Sequence, residues 1–498
     1  MNLLGIDIGT QGVKAALYAT DGECRADAFE PSQPRRPEPG VVEEDPEFQL
    51  ASACRLIRRC VDQAGTADVA AIAVAGQMAG VIGIGADGRA VTPYDSWLDT
   101  RCAGQIERLQ RDAGDAILRA TGNAPSFNHG PKILWWKEER PADYARIASF
   151  VQPGAYTAMR LCGLAAKHAF IDASYLHFSG FADTPARRWD AALCAAFGIE
   201  VDRLPRIVEP TAVIGGLTMA MAQATGLREG TPVVAGCGDT AASFLACGAT
   251  AAGICVDVAG TASVFAATTG AFTPDIHGGT LGCGPSATPG LWHPYAYING
   301  GGLNLEWFRR ELGETASARD GFDELNALAA AVVPADTLPF FVPHLGGRVS
   351  PGWPALRGSW AGLTWDHGRA ELFRAMLEAV ALEYALYQGA LRRLLPAAGF
   401  AELRITGGGE KSAFWNQLKA DTLQMPIVQI DRGGGAPMGA AMLAGVATGT
   451  LASLPEAAAR WVRLGRRFEP DPTLASHYDR RLRRYEDLLG RLNDWAAA

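Results

Sequence analysis

The chain has 498 residues, and its 45 Lys plus Arg against 53 Asp plus Glu give a formal net charge of −8 with histidine neutral; polyphosphate backbones reward clustered positive charge, so a generic nucleic-acid binder is excluded. Hydrophobic residues at 48% and charged residues at 20% exclude a mainly disordered or fibrous chain. At about 100–200 residues per domain the length points to several domains, and 58 Gly with 29 Pro point to turn-rich α/β architecture rather than a helical bundle.

From the N-terminus, residues 3–18 read as a strand, a glycine turn and a returning strand, a hairpin that opens a sheet. The first residues lack a basic stretch and reach Asp7 early, so no signal peptide is expected and the reduced cytoplasm is the expected compartment. Apolar spacing predicts a helix over 47–64, then strands over 69–74, 80–84 and 89–93 around a turn at Asp87-Gly88. The apolar window 69–86 is read as buried sheet, not membrane, because Gln77 and several glycines interrupt it. Within it, Gly83-x-Gly85-x-x-Gly88 is followed by a strand-like return, so it reads as a hairpin and not a dinucleotide-binding turn. Helices are expected over 101–120 and 132–147, then a mixed stretch up to a strand and turn at 231–239.

Residues 253–270 repeat the opening pattern. Asp7-x-Gly9-Thr10 and Asp257-x-x-Gly260-Thr261 differ by one inserted residue, which suggests internal duplication. A long amphipathic helix near 368–395 precedes a strand that runs into Gly407-Gly408-Gly409 and a further helix. Gly409-Glu410-Lys411-Ser412 lacks the Gly-Lys adjacency of a P-loop. A helix with intermixed charges, a solvated face, closes the chain at 476–492. The ten cysteines hold no CxxC pair, and Cys247 and Cys255 sit in apolar company as buried thiols do, so neither a disulfide scaffold nor a zinc site is expected. His293, His344 and His367 are scattered and read as structural.

Glycine turns let backbone N–H groups approach an anion, and neighbouring hydroxyls add donors. Gly9-Thr10, Gly260-Thr261 and Gly407-Gly408-Gly409 each end a strand, the usual place for ligand loops in α/β sheets. Beside Asp7 and Asp239 they suggest a nucleotide held between two halves.

Several motifs in one order carry a resemblance: Asp7-Ile8-Gly9-Thr10 with Lys14, Ala75-Gly76-Gln77-Met78, Trp97-x-Asp99-x-Arg101, Gly236-x-Gly238-Asp239, Gly260-Thr261, the 343–348 segment, Gly407-Gly408-Gly409 before Trp415-x-Gln417-x-x-x-Asp421, and the 436–441 segment. Over nearly the whole length the chain resembles the FGGY carbohydrate kinases, in the style of xylulokinases. The resemblance implies two actin-like (ribonuclease H-like) α/β domains, expected at 1–247 and 248–498, with ATP and a sugar in the cleft between them.

It also implies roles. Asp239 matches the catalytic base, which accepts the proton of the sugar hydroxyl as the phosphoryl group transfers. Asp7 matches the acid that helps place Mg²⁺, a hard cation suited to carboxylate and phosphate oxygens. Thr10, Gln11, Lys14, Gly260, Thr261, Gly302, Gly408 and Gly409 match the nucleotide side; Gln77, Met78, Trp97, Asp99, Arg101, Asp239 and Thr240 match the sugar side. Two positions depart from the xylulokinase pattern: Ala79 stands where His commonly follows Gln-Met, and Thr240 where Asn commonly follows the catalytic Asp. The expected activity is therefore ATP-dependent phosphorylation of a terminal hydroxyl of a small sugar, foremost a pentulose such as xylulose. The alternatives are another ketose or polyol (ribulose, glycerol or erythritol type) or a non-catalytic actin-like sugar- or nucleotide-binding protein. The expected partners are the sugar and ATP, with a homodimer left open and no nucleic acid or membrane.

Overall fold

The computed structural model describes residues 1–312, 321–431 and 434–497. Two large mixed sheets dominate it. Numbering only their strands, the first holds β1 (Asn2–Ile8), β2 (Gly12–Ala19), β3 (Cys24–Pro31), β4 (Val69–Gly76), β5 (Val213–Gly216) and β6 (Pro232–Val234), in the order β5-β6-β4-β1-β2-β3. The second holds β7 (Ile254–Ala259), β8 (Ser263–Ala267), β9 (Gly282–Pro285), β10 (Trp292–Ile298), β11 (Glu402–Thr406), β12 (Ile427–Ile430) and β13 (Leu464–Phe468), in the order β9-β10-β8-β7-β11-β12-β13.

The duplication read from two glycine-threonine pairs extends to topology. In the first sheet β1 is antiparallel to β2 and parallel to β4, with β3 antiparallel to β2 and β6 parallel to β4. In the second, β7 is antiparallel to β8 and parallel to β11, with β10 antiparallel to β8 and β12 parallel to β11. This is the actin-like ATPase fold, built twice. Every residue of β1 is buried, as expected of a central strand covered by helices on both faces.

On one face of the first sheet lies α1 (Pro46–Ala64), started by the Asp45 carboxylate, which accepts from the Glu47 amide, and ended by Gly65 in the left-handed conformation. The other face is covered from far along the sequence. Helix α2 (Asp239–Ala246) and helix α6 (Gly435–Ala447) cross there, where Ala71, Ala73 and Ala75 pack with Ala440, Met442 and Leu443. Small residues make this possible. A Cβ at Gly5 would collide with the Pro437 carbonyl, and one at Gly439 with the Ala242 carbonyl, so the 436–441 motif reads as a close-packing device. The remaining helices used below are α3 (Gly301–Leu312), α4 (Arg369–Leu394), α5 (Ala413–Leu423) and α7 (Ala475–Ala497).

Three local readings are refined. The 69–86 window divides between β4 and a strand, Val81–Ile84, of a separate four-stranded sheet. The Gly83–Gly88 string is a hairpin turn, its Gly88 amide donating to the Gly85 carbonyl at 2.9 Å. The single helix expected over 132–147 is two, His129–Glu139 and Pro141–Tyr144, because Pro141 cannot continue the first. Cys247 and Cys255 are buried, and none of the helices among the described residues is long and apolar enough to cross a membrane.

The 343–348 motif anchors a buried ionic cluster. Glu383 of α4, 0% exposed, accepts from Arg348 at 2.9 Å and from Tyr485 of α7 at 2.8 Å, and lies 3.0 Å from His344. Burial pushes the Glu383 carboxyl up, but Arg348 and His344 outweigh it and hold the group down at about 2. A depressed carboxylate contributes stability above its ordinary titration range, and that contribution is lost as pH falls toward about 2. Glu383→Gln is expected to cost about 2 kcal/mol, the scale for charge-assisted hydrogen bonds, read as a lower urea midpoint at neutral pH. The gap between variant and parent should narrow in acid; a constant gap down to pH 3 would refute the electrostatic account.

Candidate active site

The β1–β2 turn closes with the Gly9 amide donating to the Gly12 carbonyl at 3.1 Å and the Gly12 amide to the Gly9 carbonyl at 3.2 Å. Asp7 stands just before it, paired in register with the exposed Lys14. The Asp7 carboxylate is 6% exposed, and its Oδ1 has no hydrogen-bond partner among the described residues. Asp239 opens α2 and is partly exposed; its Oδ1 accepts from the Thr240 amide at 2.6 Å and the Thr240 hydroxyl at 3.2 Å.

The two carboxylates sense each other. Burial pushes the Asp7 carboxyl up, repulsion from Asp239 adds to it, and Lys14 opposes both. Burial likewise raises Asp239, against the Thr240 hydrogen bonds and Lys14. A pair of acids raised by burial, one of them also by repulsion from the other, is stabilised in its ionised form by a cation. The buried, unpartnered Asp7 oxygen, in an acid that a second carboxylate influences, therefore fits a hard, oxygen-seeking divalent ion. No group of three metal-binding side chains occurs among the described residues, so such an ion would take its other ligands from water and phosphate.

The duplicate acid has a different fate. Asp257 on β7 is 0% exposed and ion-paired with Lys419 of α5, also 0% exposed, while the Tyr384 hydroxyl donates to its Oδ1 at 2.6 Å. Lys419 also lies 4.0 Å above the Trp415 ring. Asp257 is thus neutralised within the second half, whereas Asp7 is left with an open oxygen.

The residues that the resemblance matched to the sugar divide. Trp97 donates its indole N–H to the Thr10 hydroxyl at 2.9 Å, and Met78 packs against Gly238, where an added Cβ would lie 2.6 Å from the Met78 sulfur. Both are partly exposed, and Met78 lies against the glycine that precedes Asp239. Gln77 is 0% exposed and its amide is engaged by protein: Nε2 donates to the Gly9 carbonyl and to Glu44, and Oε1 accepts from Thr10 and Tyr94. It holds the turn from behind. Asp99 accepts from the Val42 amide at 2.8 Å, and Arg101 spans Glu43, Asp95 and Asp99 at 3.0, 2.7 and 2.9 Å while stacking 4.5 Å from Trp135. Those two brace the loop that presents Trp97. Ala79 adopts φ 63°, the left-handed region that a side chain with a Cβ rarely occupies.

Of the residues that the resemblance matched to the nucleotide, Gly260 and Thr261 form the exposed β7–β8 turn. Helix α3 starts against it, with the Gly302 amide donating to the Gly260 carbonyl and the Leu303 amide to the Thr261 carbonyl, both at 3.1 Å. A side chain at Gly302 would collide with the Gly260 carbonyl, so this glycine permits the close approach and its N–H is spent on the turn. Gly407, at φ 95°, turns the chain after β11, and an added Cβ there would collide with the Ala259 carbonyl. Gly408 faces open space and Gly409 packs on Ala259 and Trp415. The motif after them is a support: Trp415 donates to the Leu377 carbonyl at 3.0 Å and Gln417 to Asp421 at 2.8 Å. The two turns meet across the halves, the Gln11 amide donating to the Thr261 hydroxyl at 3.2 Å.

Sequence reasoning missed Asp172, Ser174 and Tyr175, which back the Gly76 and Gly238 strand ends. The Asp-x-Ser pair, a common local turn, was the available signal within the stretch read only as mixed.

Comparison with known proteins shows the family. The profile of the FGGY family of carbohydrate kinases, N-terminal domain, matches residues 2–246, and that of the C-terminal domain matches residues 255–448. The chain is 32% identical to the xylulose kinase of Escherichia coli (strain K12) over 463 residues, 91% of each chain. It is 30% identical to the glycerol kinase of Aromatoleum aromaticum over 519 aligned positions, covering 100% of this chain and 99% of the other. Among solved structures, the xylulose kinase from Rhodospirillum rubrum superposes with a TM-score of 0.91 at 28% identity, with 100% of both chains covered.

Proposed function

The chain belongs to the FGGY family of carbohydrate kinases, and on that premise we propose that it transfers the γ-phosphoryl group of ATP to a terminal hydroxyl of a small sugar, foremost a pentulose such as xylulose. The observation that carries this reading is the electrostatically coupled pair Asp7 and Asp239, one just before the first of the two glycine-threonine turns that Gln11 and Thr261 bridge and the other at the start of α2. Phosphoryl transfer asks mainly for alignment and charge shielding, and this arrangement offers both. The ionised Asp239, fixed by Thr240, accepts the proton of the attacking hydroxyl. Thr10, Gln11 and Thr261 offer hydroxyl and amide groups to the phosphates, and Lys14 offers positive charge beside them. Asp7 would hold Mg²⁺, which when bound would offset the phosphate charge. Trp97 and Met78 line the sugar side, while Gln77, Asp99 and Arg101 hold that wall in place.

The sugar is the finer part of the proposal. The similarity to a xylulose kinase favours a pentulose. A polyol is the second reading, favoured by the short Ala79 and by the similarity to a glycerol kinase. Sugar-dependent ADP release across pentuloses, hexuloses and polyols, with the mass of the product, decides between them: one compound should gain a single phosphoryl group, xylulose best of all. Turnover on polyols alone would transfer the assignment to the second reading. ATP binding without a phosphorylated product from any compound would refute both.

A further inference from the structure

The base, as read above, sits at a helix start that lacks its own cap. Gly238 precedes Asp239 and has no side chain to offer the helix N-terminus. A buried hydroxyl from elsewhere reaches it. The Gly238 amide donates to Ser174 Oγ at 2.8 Å, and Ser174 Oγ donates to Asp172 Oδ1 at 2.5 Å. The first direction is fixed, because an amide N–H only donates, and it leaves the Ser174 hydroxyl proton free for the Asp172 carboxylate. Asp172 Oδ1 also accepts the Ser174 amide at 2.9 Å, which locks the serine rotamer. All three are out of solvent, Ser174 completely so.

The next residue holds the opposite strand end. Tyr175 donates its hydroxyl to the Gly76 carbonyl at 2.8 Å, and the Gly76 amide donates to the Cys237 carbonyl at 3.3 Å. One short segment thus grips both the strand end that leads to Met78 and the peptide that leads to Asp239. The turn between has little freedom of its own: Gly236 lies against the Val74 carbonyl and Gly238 against the Met78 side chain.

We propose that Ser174, oriented by Asp172, is a positioning residue for Asp239, fixing through the Gly238 N–H where the carboxylate stands relative to the sugar hydroxyl. This rests on the reading of Asp239 as the base. Without the hydroxyl, the Gly238 peptide loses its only side-chain anchor among the described contacts, and the first turn of α2 rocks about Gly236 and Gly238. Misplacement of a reacting group by a fraction of an ångström lowers turnover while leaving substrate binding largely intact.

The test uses the full chain as Ser174→Ala and as Ser174→Cys, whose thiol is nearly isosteric but a weak acceptor. With the best sugar and saturating Mg-ATP, kcat is expected to fall at least about fivefold in Ser174→Ala, with KM for both substrates within about twofold. Exchange of the Gly238 amide with deuterated solvent is expected to speed up by about tenfold or more, while amides of the Gly9–Gly12 turn keep their protection. Ser174→Cys should fall between, and it decides the matter should the alanine variant not fold. A folded variant with parental kcat or an equally protected Gly238 amide overturns the proposal, as does a uniform loss of protection with kcat and KM altered together. The exchange readout needs no substrate, so a parent protein without sugar-dependent turnover refutes the functional reading separately from this one.

Discussion

Asp239→Asn is expected to lower turnover by at least about a hundredfold, within the range for removing a general base, while ATP and ADP bind as before. The amide keeps the shape of the carboxylate and its Oδ1 can still accept the Thr240 amide, so the start of α2 is preserved. What disappears is the group that accepts the hydroxyl proton and the negative charge that repels Asp7. Because burial raises Asp239, the base is protonated at a higher pH than an ordinary carboxylate. The parent activity should therefore fall from neutral toward mildly acid pH, and the residual activity of the variant should show a weaker acid limb, set by Asp7 alone. Steady-state kinetics against pH, with nucleotide binding measured by calorimetry, checks both. Parent-like turnover in Asp239→Asn would remove Asp239 from the mechanism.

Much of this architecture is legible in the sequence, and the reasons are local. A strand, a glycine turn and a strand announce themselves at 3–18 and 253–270 because turn chemistry and apolar alternation act over neighbouring residues. Long-range partners leave no such mark. Gln77 stands in a site motif, but its amide is consumed by Glu44, 33 residues away, and by the Gly9 carbonyl, which only the folded chain reveals. Ser174 meets Gly238 across 64 residues from a stretch without clear periodicity. Helix α6 is apolar nearly all round, so its pattern says it is buried without saying that it lies against the first sheet, on Gly5. The roles of Asp99 and Arg101 show the same limit: their spacing marks a cluster, and their carboxylate and guanidinium partners show that it braces a loop.

The duplicated acids support a paired prediction in which equal changes have opposite effects. Asp257→Asn removes the counter-charge of Lys419, a lysine with no exposed surface whose own ionised form burial already disfavours. Breaking a buried pair from one side costs about 3–5 kcal/mol, so the urea midpoint and melting temperature should fall clearly. Asp7→Asn acts on a carboxylate that has an unpartnered oxygen, burial and a like charge against it. Its raised folded value means that the protonated form is the one folding favours. That contribution is complete below the ordinary carboxylate range and is lost as pH rises through the raised value, leaving ionised Asp7 as a cost at neutral pH. Without divalent ions, Asp7→Asn should therefore stabilise the protein by about 1 kcal/mol, the usual gain when a functional site gives up a strained charge. Turnover should fall about a hundredfold, on the scale of losing one preorganised electrostatic group. Adding Mg-ATP should raise the parent melting temperature more than that of Asp7→Asn, because only the parent retains the acid beside the phosphates. Melting curves in chelator and in Mg-ATP measure all of this, and shifts of the same sign for the two variants in chelator would refute the distinction between a neutralised structural acid and an open functional one.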